Sequence, residues 1–200
     1  MLDGKILRID HVSLAVSIKY YEKAVEFFKK ILGATSQSHG SEAGNLNYYW
    51  EIFALGDLSR FELIKKKRIE KVSFLDNFLK DKEGGIHHIT LQTPNIEMTK
   101  KNLDDNGIPY FGYRNIGNNW KELFIHPKHA FGVLLQIAEL RPDDWIAASN
   151  KMPEGQKWAL SKKNENYILT FAHPGGSKVN FNLDQEEIKE LINDLKKLVE

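Results

Sequence analysis

The strongest constraint on the fold of this 200-residue chain is that its sequence runs through one pattern twice. His11 in "DHVSL" and His88 in "HHITL" are 77 residues apart, and Glu62 in "FELI" and Gln136 in "LLQI" are 74 apart. Each of the four is a polar side chain set in an apolar, strand-like string. An offset that stays nearly constant across two landmarks marks an internal repeat. The fold must therefore be assembled from two like units.

The pattern inside each unit is the same. "ILRIDHVSLAV" alternates apolar and polar side chains and reads as a strand. "IKYYEKAVEFFKKILGA" carries Tyr21, Ala24, Val25, Phe28, Ile31 and Leu32 at helical spacing, with Gly33 as its C-cap. Strands follow near residues 35–38, in "NYYWEIFAL" and in "RFELIKK". The second unit repeats this order. "GIHHITLQT" is a strand, and "NIEMTKKNLDDNG" is a helix starting at Pro94 or Asn95. "YFGYRNI", "KELFIHP" and "GVLLQIAEL" are strands. The expected class is α+β: two tandem βαβββ modules, residues 5–66 and 84–140, form one curved mixed sheet around a metal site. Residues 67–83 connect them as a loop and a short helix. Residues 141–200 form an extension of short strands and a final helix, where Asp184 and Glu187 have the spacing of a capping box.

Composition narrows the function. The formal net charge is +1, which gives no electrostatic case for nucleic acid or membrane. No apolar run approaches the roughly 18 residues of a membrane span. The opening "MLDGKILRIDH" lacks the apolar stretch of a signal peptide. With no cysteine there is neither a disulfide framework nor thiolate chemistry. The expectation is a cytoplasmic enzyme.

His11, Glu62, His88 and Gln136 each need a partner inside an apolar sheet, because an unpaired buried polar group costs about 1–3 kcal/mol. One divalent cation satisfies two imidazoles, a carboxylate and an amide oxygen together. Donors of nitrogen and oxygen without sulfur suit Co, Zn, Ni or Mn. Aligning "DHV" with "HHI" pairs His88 with His11. By strict alternation, His87 then lies on the opposite face and tolerates substitution.

The two modules with this His, Glu, His, Gln set resemble the vicinal oxygen chelate superfamily, which includes glyoxalase I, extradiol dioxygenases and methylmalonyl-CoA epimerase. "FLKDKEGGIHHIT", "FIHPKHAFGVLLQIAEL", "IDHVSLAV" and "KKILGA" are similar to the epimerase branch, and the likeness spans roughly residues 5–140. It implies a metal-dependent isomerase that removes a proton alpha to a thioester carbonyl, with an acyl-CoA substrate and a homodimeric assembly. It also implies that the metal ligands are His11, Glu62, His88 and Gln136. Those epimerases place Gln in the first module and Glu in the second, whereas this chain has Glu62 and Gln136. Glu62 becomes the candidate base, with Glu42 as a second acid or base and Glu51 as its fallback. Lys65 and Lys128 are candidate contacts for coenzyme A phosphates. A glyoxalase I-like lyase and a non-catalytic small-molecule-binding protein of the same fold are the alternatives.

Overall fold

The computed structural model describes residues 4–41, 46–55, 59–117, 119–140, 151–163, 166–173 and 178–199. The first compact unit, Met1–Trp145, carries both repeats. Its first half runs β1 (Arg8–Val16), α1 (Ile18–Glu26), β2 (Thr35–Ser41), β3 (Tyr48–Leu55) and β4 (Ser59–Lys66). A short helix, α2 (Phe74–Leu79), leads into β5 (Gly84–Gln92), α3 (Ile96–Asp105), β6 (Phe111–Ile116), β7 (Trp120–Ile125) and β8 (Leu135–Leu140).

The strands form one curled mixed sheet in the order β2-β3-β4-β1-β5-β8-β7-β6. Read outward from its centre, the order is the same in both directions. β1 and β5 pair antiparallel along the seam between the modules. β4 lies parallel to β1, and β8 lies parallel to β5. This is the doubled βαβββ architecture that the repeat requires.

Each module covers one face of its half-sheet with its own helix. Tyr21 and Phe28, from α1 and the turn after it, pack on Val16, Phe53 and Leu63. Ile96 of α3 packs on Leu123, Ile125 and Ile137. Glu62 alternates with Leu63, and Gln136 with Ile137, so strand periodicity sends both polar side chains to the face the helices leave open. α2 closes one end of that open face, with Leu75 and Leu79 against Ala15 and Ile64.

The first helix departs from expectation near its end. It widens into a π-helical turn over Phe27–Ile31, in which the Leu32 amide donates to the Phe27 carbonyl at 3.0 Å. The wider turn buries Phe28 while Phe27, Ile31 and Leu32 stay exposed. Gly33 then takes a φ of +72°, the left-handed conformation expected of a helix stop.

The second compact unit, Ile146–Glu200, holds β9 (Trp158–Lys163), β10 (Asn166–Ala172) and β11 (Lys178–Leu183) in a three-stranded antiparallel sheet, followed by α4 (Gln185–Lys197). Asp184 caps α4 by accepting from the Glu186 and Glu187 amides, and the Glu187 side chain returns the bond to the Asp184 amide. Of the apolar stripe of α4, Ile188 and Leu191 are half-buried, while Ile192 and Leu195 are exposed.

Candidate metal centre

The seam places the four landmark residues. Ser13 lies opposite His88 across β1 and β5, and His11 lies opposite Thr90. On the outer side of β1, Glu62 sits beside Ser13; on the outer side of β5, Gln136 sits beside Thr90. The arrangement is pseudo-twofold, and each histidine faces the module opposite its own.

All four side chains are removed from water. His11, Glu62, His88 and Gln136 are each 7% exposed or less. Glu62 Oε2 is 3.8 Å from His11 Nε2 and 3.6 Å from His88 Nε2. One donor atom from each of these three residues lies within 4.8 Å of the others. Glu62 Oε2 and His88 Nε2 are buried and have no hydrogen-bond partner. Two unpartnered polar atoms facing one another are costly in a dry site. A cation with nitrogen and oxygen ligands answers both. Gln136 approaches from the other side, where its Oε1 accepts from the Thr90 hydroxyl at 2.5 Å. That hydroxyl is also 2.9 Å from His11 Nε2.

The position of His87 corrects the expectation from strict alternation. Pairing between β1 and β5 steps from Ile9–Leu91 to His11–Thr90, leaving Asp10 unpaired. It steps again from Ser13–His88 to Leu14–Ile86, leaving His87 unpaired. Each skipped residue is the extra one in a β-bulge, and a bulge breaks the period-2 rule locally. His87 therefore turns toward His88, with their Nδ1 atoms 2.9 Å apart. Its ring packs on Phe74 and Phe78 of α2 at centroid distances of 5.2 and 4.9 Å. It is not a free surface side chain. Asp10 does the equivalent in the first module, with its Oδ2 2.8 Å from His11 Nδ1.

These contacts orient the two rings. When His11 Nδ1 donates to Asp10, its Nε2 lone pair faces the site. When His88 Nδ1 donates to His87, its Nε2 does the same. Burial opposes the charge on Asp10, but the hydrogen bond from His11 and the guanidinium of Arg60 outweigh it and hold the carboxyl well below its ordinary range. Arg8 adds a contact at 3.2 Å. Burial pushes His87 down to about 4. Burial, with His11 and His87 nearby, pushes His88 well below its ordinary value. Burial raises the Glu62 carboxyl, and the proximity of His11 only partly offsets this.

Beside the cluster lies a cavity of about 220 Å³, walled by Tyr48, Trp50, Ile52 and Trp120, with Arg114 and Glu122 among its polar groups. Glu51 is turned elsewhere, accepting from the hydroxyls of Ser36 at 2.9 Å and Tyr21 at 3.3 Å. Lys65 is on the helix-covered side, with Nζ 3.9 Å from the centre of the Tyr21 ring. Lys128 is exposed, and its amide donates to His126 Nδ1. None of these three is brought to the His11–Glu62–His88 cluster. Glu42 lies outside the described residues. Sequence reasoning missed Thr90, Asp10 and Glu122. For Glu122 a signal existed: in "WKELF" a carboxylate stands between two aromatic residues on one face of a strand.

Two βαβββ modules sharing one open face, with a buried His–Glu–His cluster across their seam that could hold a metal ion, define a paired-module class of fold. The chain belongs to the Glyoxalase/Bleomycin resistance protein/Dioxygenase superfamily, whose profile matches residues 10–124. It is 32% identical over 135 residues to the mitochondrial methylmalonyl-CoA epimerase of Homo sapiens, covering 66% of this chain and 73% of that protein. The Bos taurus counterpart is 30% identical, covering 66% and 74%. Among solved structures, methylmalonyl-CoA epimerase from Mycobacterium tuberculosis superposes with a TM-score of 0.59 at 23% identity, covering 69% of this chain and 91% of that one. A variant of the Streptomyces coelicolor methylmalonyl-CoA epimerase in complex with 2-nitronate-propionyl-CoA gives a TM-score of 0.59 at 21% identity, covering 68% and 99%. At these identities the structural matches establish the fold. Among the described residues, no helix is long and apolar enough to cross a membrane.

Proposed function

We propose that the chain is a metal-dependent epimerase that moves the proton alpha to the carbonyl of a malonyl-type acyl-CoA thioester. The observation that carries this reading is the buried His11–Glu62–His88 cluster with two unpartnered polar atoms, opening beside a cavity. The relatedness to epimerases that act on methylmalonyl-CoA supports the substrate class.

His11, Glu62, His88 and Gln136 would hold a divalent ion such as Co, Zn, Ni or Mn. Bound there, the ion supplies Lewis acidity at a carbonyl oxygen. The protein's own residues supply the rest. Asp10, which can only accept, fixes the tautomer of His11, and the contact with His87 holds the His88 ring in place. Glu62 is the carboxylate of this set, and it is the candidate base that takes a proton from carbon and returns it. Tyr48, Trp50, Ile52 and Trp120 give the reacting carbon a largely apolar surround in which charge interactions are strong. Epimerisation needs a second acid or base on the opposite face of that carbon, and Glu42 is the candidate. Lys128, being exposed, is better placed than the ring-stacked Lys65 to meet the coenzyme A phosphates.

The test is exchange of the alpha proton of methylmalonyl-CoA in deuterated buffer, followed by proton NMR with Co, Zn, Ni or Mn added in turn. Exchange with at least one ion is expected. No exchange with any of the four overturns the reading. Turnover of the methylglyoxal hemithioacetal in its place moves the chain to a glyoxalase-like lyase. If neither cobalt nor zinc raises the melting temperature, a metal-free binding protein takes first place.

A further inference from the structure

We propose that Glu122 is a positioning residue, which decides which end of the Gln136 amide meets the metal. The inference rests on reading the His11–Glu62–His88 cluster as a metal centre. An amide is a poor ligand by default, because its oxygen and nitrogen ends have nearly the same shape and only the oxygen binds a cation. A Gln in a metal site therefore needs something that forbids the reversed rotamer.

Glu122 does this by accepting. It stands on β7, next to β8, and is 2% exposed. Its Oε2 receives Gln136 Nε2 at 2.6 Å and Trp120 Nε1 at 2.7 Å. Its Oε1 receives Arg114 Nε at 2.7 Å and also Arg114 Nη2. Every neighbour in this set is an N–H donor, so both oxygens of the carboxyl group are used as acceptors. Reversing the Gln136 amide would set an amide oxygen against this carboxylate, acceptor to acceptor, in a buried site. The Nε2 end is therefore fixed on Glu122. The Oε1 end is left on the side of Thr90 and His11, where the other donors converge. The Thr90 hydroxyl cannot make the choice alone, since it both donates and accepts.

The module comparison gives the reason for this device. Glu62 has two equivalent oxygens, so it presents a ligand atom in either orientation and needs no such neighbour. In the matching place on β3 the first module has Trp50, cross-strand from Ile64, as Glu122 is cross-strand from Ala138. The chain has a carboxylate beside the amide ligand and an indole beside the carboxylate ligand.

A double-mutant cycle tests the proposal by titrating cobalt(II) into the ion-free protein, with affinity read from chelator competition and from the visible d–d spectrum. Glu122→Gln lets its neighbour's amide reverse, and cobalt affinity is expected to fall about tenfold, the lower end of what outer-shell partners contribute. In a Gln136→Glu background the ligand has two equivalent oxygens, and Glu122→Gln should then leave affinity unchanged or raise it by removing a like charge. An equal loss in both backgrounds means that Glu122 is only structural and overturns the proposal while leaving the metal centre standing. No loss in the parent background overturns it too. If the parent protein itself binds no cobalt, the metal reading and the role of Glu122 fall together. A melting curve for each variant separates loss of affinity from loss of fold.

Discussion

The two modules share a backbone plan and differ in chemistry. In each, a histidine on the seam strand follows a bulge residue that contacts its Nδ1, and a polar residue on the parallel neighbour faces the same centre. In the first module the bulge residue is Asp10, anchored by Arg8 and Arg60, and the later candidate ligand is Glu62. In the second it is His87, packed on Phe74 and Phe78, and the later candidate ligand is Gln136. The difference shows that strand pairing fixes where donors stand, while the identity of one neighbour decides what each donor can do. In the proposed reading the first half's carboxylate, Glu62, moves the proton. The second half offers an uncharged amide, Gln136, which the buried Glu122 orients.

The largest expected effect removes the symmetry itself. His11→Ala and His88→Ala should each abolish measurable binding of cobalt or zinc by calorimetry, because the altered half then contributes a single donor and the site loses one of its two imidazoles. Retained binding in either variant would mean that the halves are not equivalent supports. Next, Glu62→Gln should slow alpha-proton exchange at least about 100-fold, the usual contribution of a positioned acid–base group. Gln136→Ala should act chiefly through metal affinity, about tenfold, so that saturating metal restores most of its rate. If saturating metal rescues both variants equally, the division into a proton-moving and an orienting half is wrong.

A smaller effect concerns the bulges. His87→Ala should lower cobalt affinity about tenfold, as loss of a ring-orienting partner does. An unchanged affinity would show that Phe74 and Phe78 hold His88 without it.

The smallest effect separates the halves by pH, in urea unfolding of the ion-free protein. His87 titrates near 4 when folded and near 6.5 when unfolded. Between those values the unfolded chain binds more protons, so stability falls as pH drops from about 6.5 to about 4, by roughly 2–3 kcal/mol for this ring. His88 adds to the same window, since its shift has the same direction. Asp10 is shifted downward as an acid, so its contribution is present above about pH 4 and is lost as pH falls below it. His87→Phe should flatten part of the upper window and leave the lower one alone. A profile identical to the parent's would remove His87 from this account.

Most of the architecture was legible because hydrophobic period and landmark spacing are carried by individual residues. His11, Glu62, His88 and Gln136 could be found from an offset, and α4 from its cap and stripe. The bulges were not legible. A period-2 reading assigns Asp10 and His87 to the far face, and nothing in "RIDHV" or "GIHHI" announces an extra residue. The orientation of Gln136 was hidden for a different reason, since its partner Glu122 is 14 residues away on the neighbouring strand. Lys65 is expected from the sequence to meet a coenzyme A phosphate, but strand alternation turns it to the helix-covered face and onto an aromatic ring.

The antiparallel seam between β1 and β5 has a consequence for assembly. Neither module owns enough donors to hold an ion, and the set is completed only when the two edges pair in one register. A slip of one residue along that seam would send a histidine to the wrong face. In the proposed metal reading, affinity would also be a gauge of docking: an ion held in the centre would contribute its binding free energy to the pairing of the two halves, and pulling them apart would first have to release it.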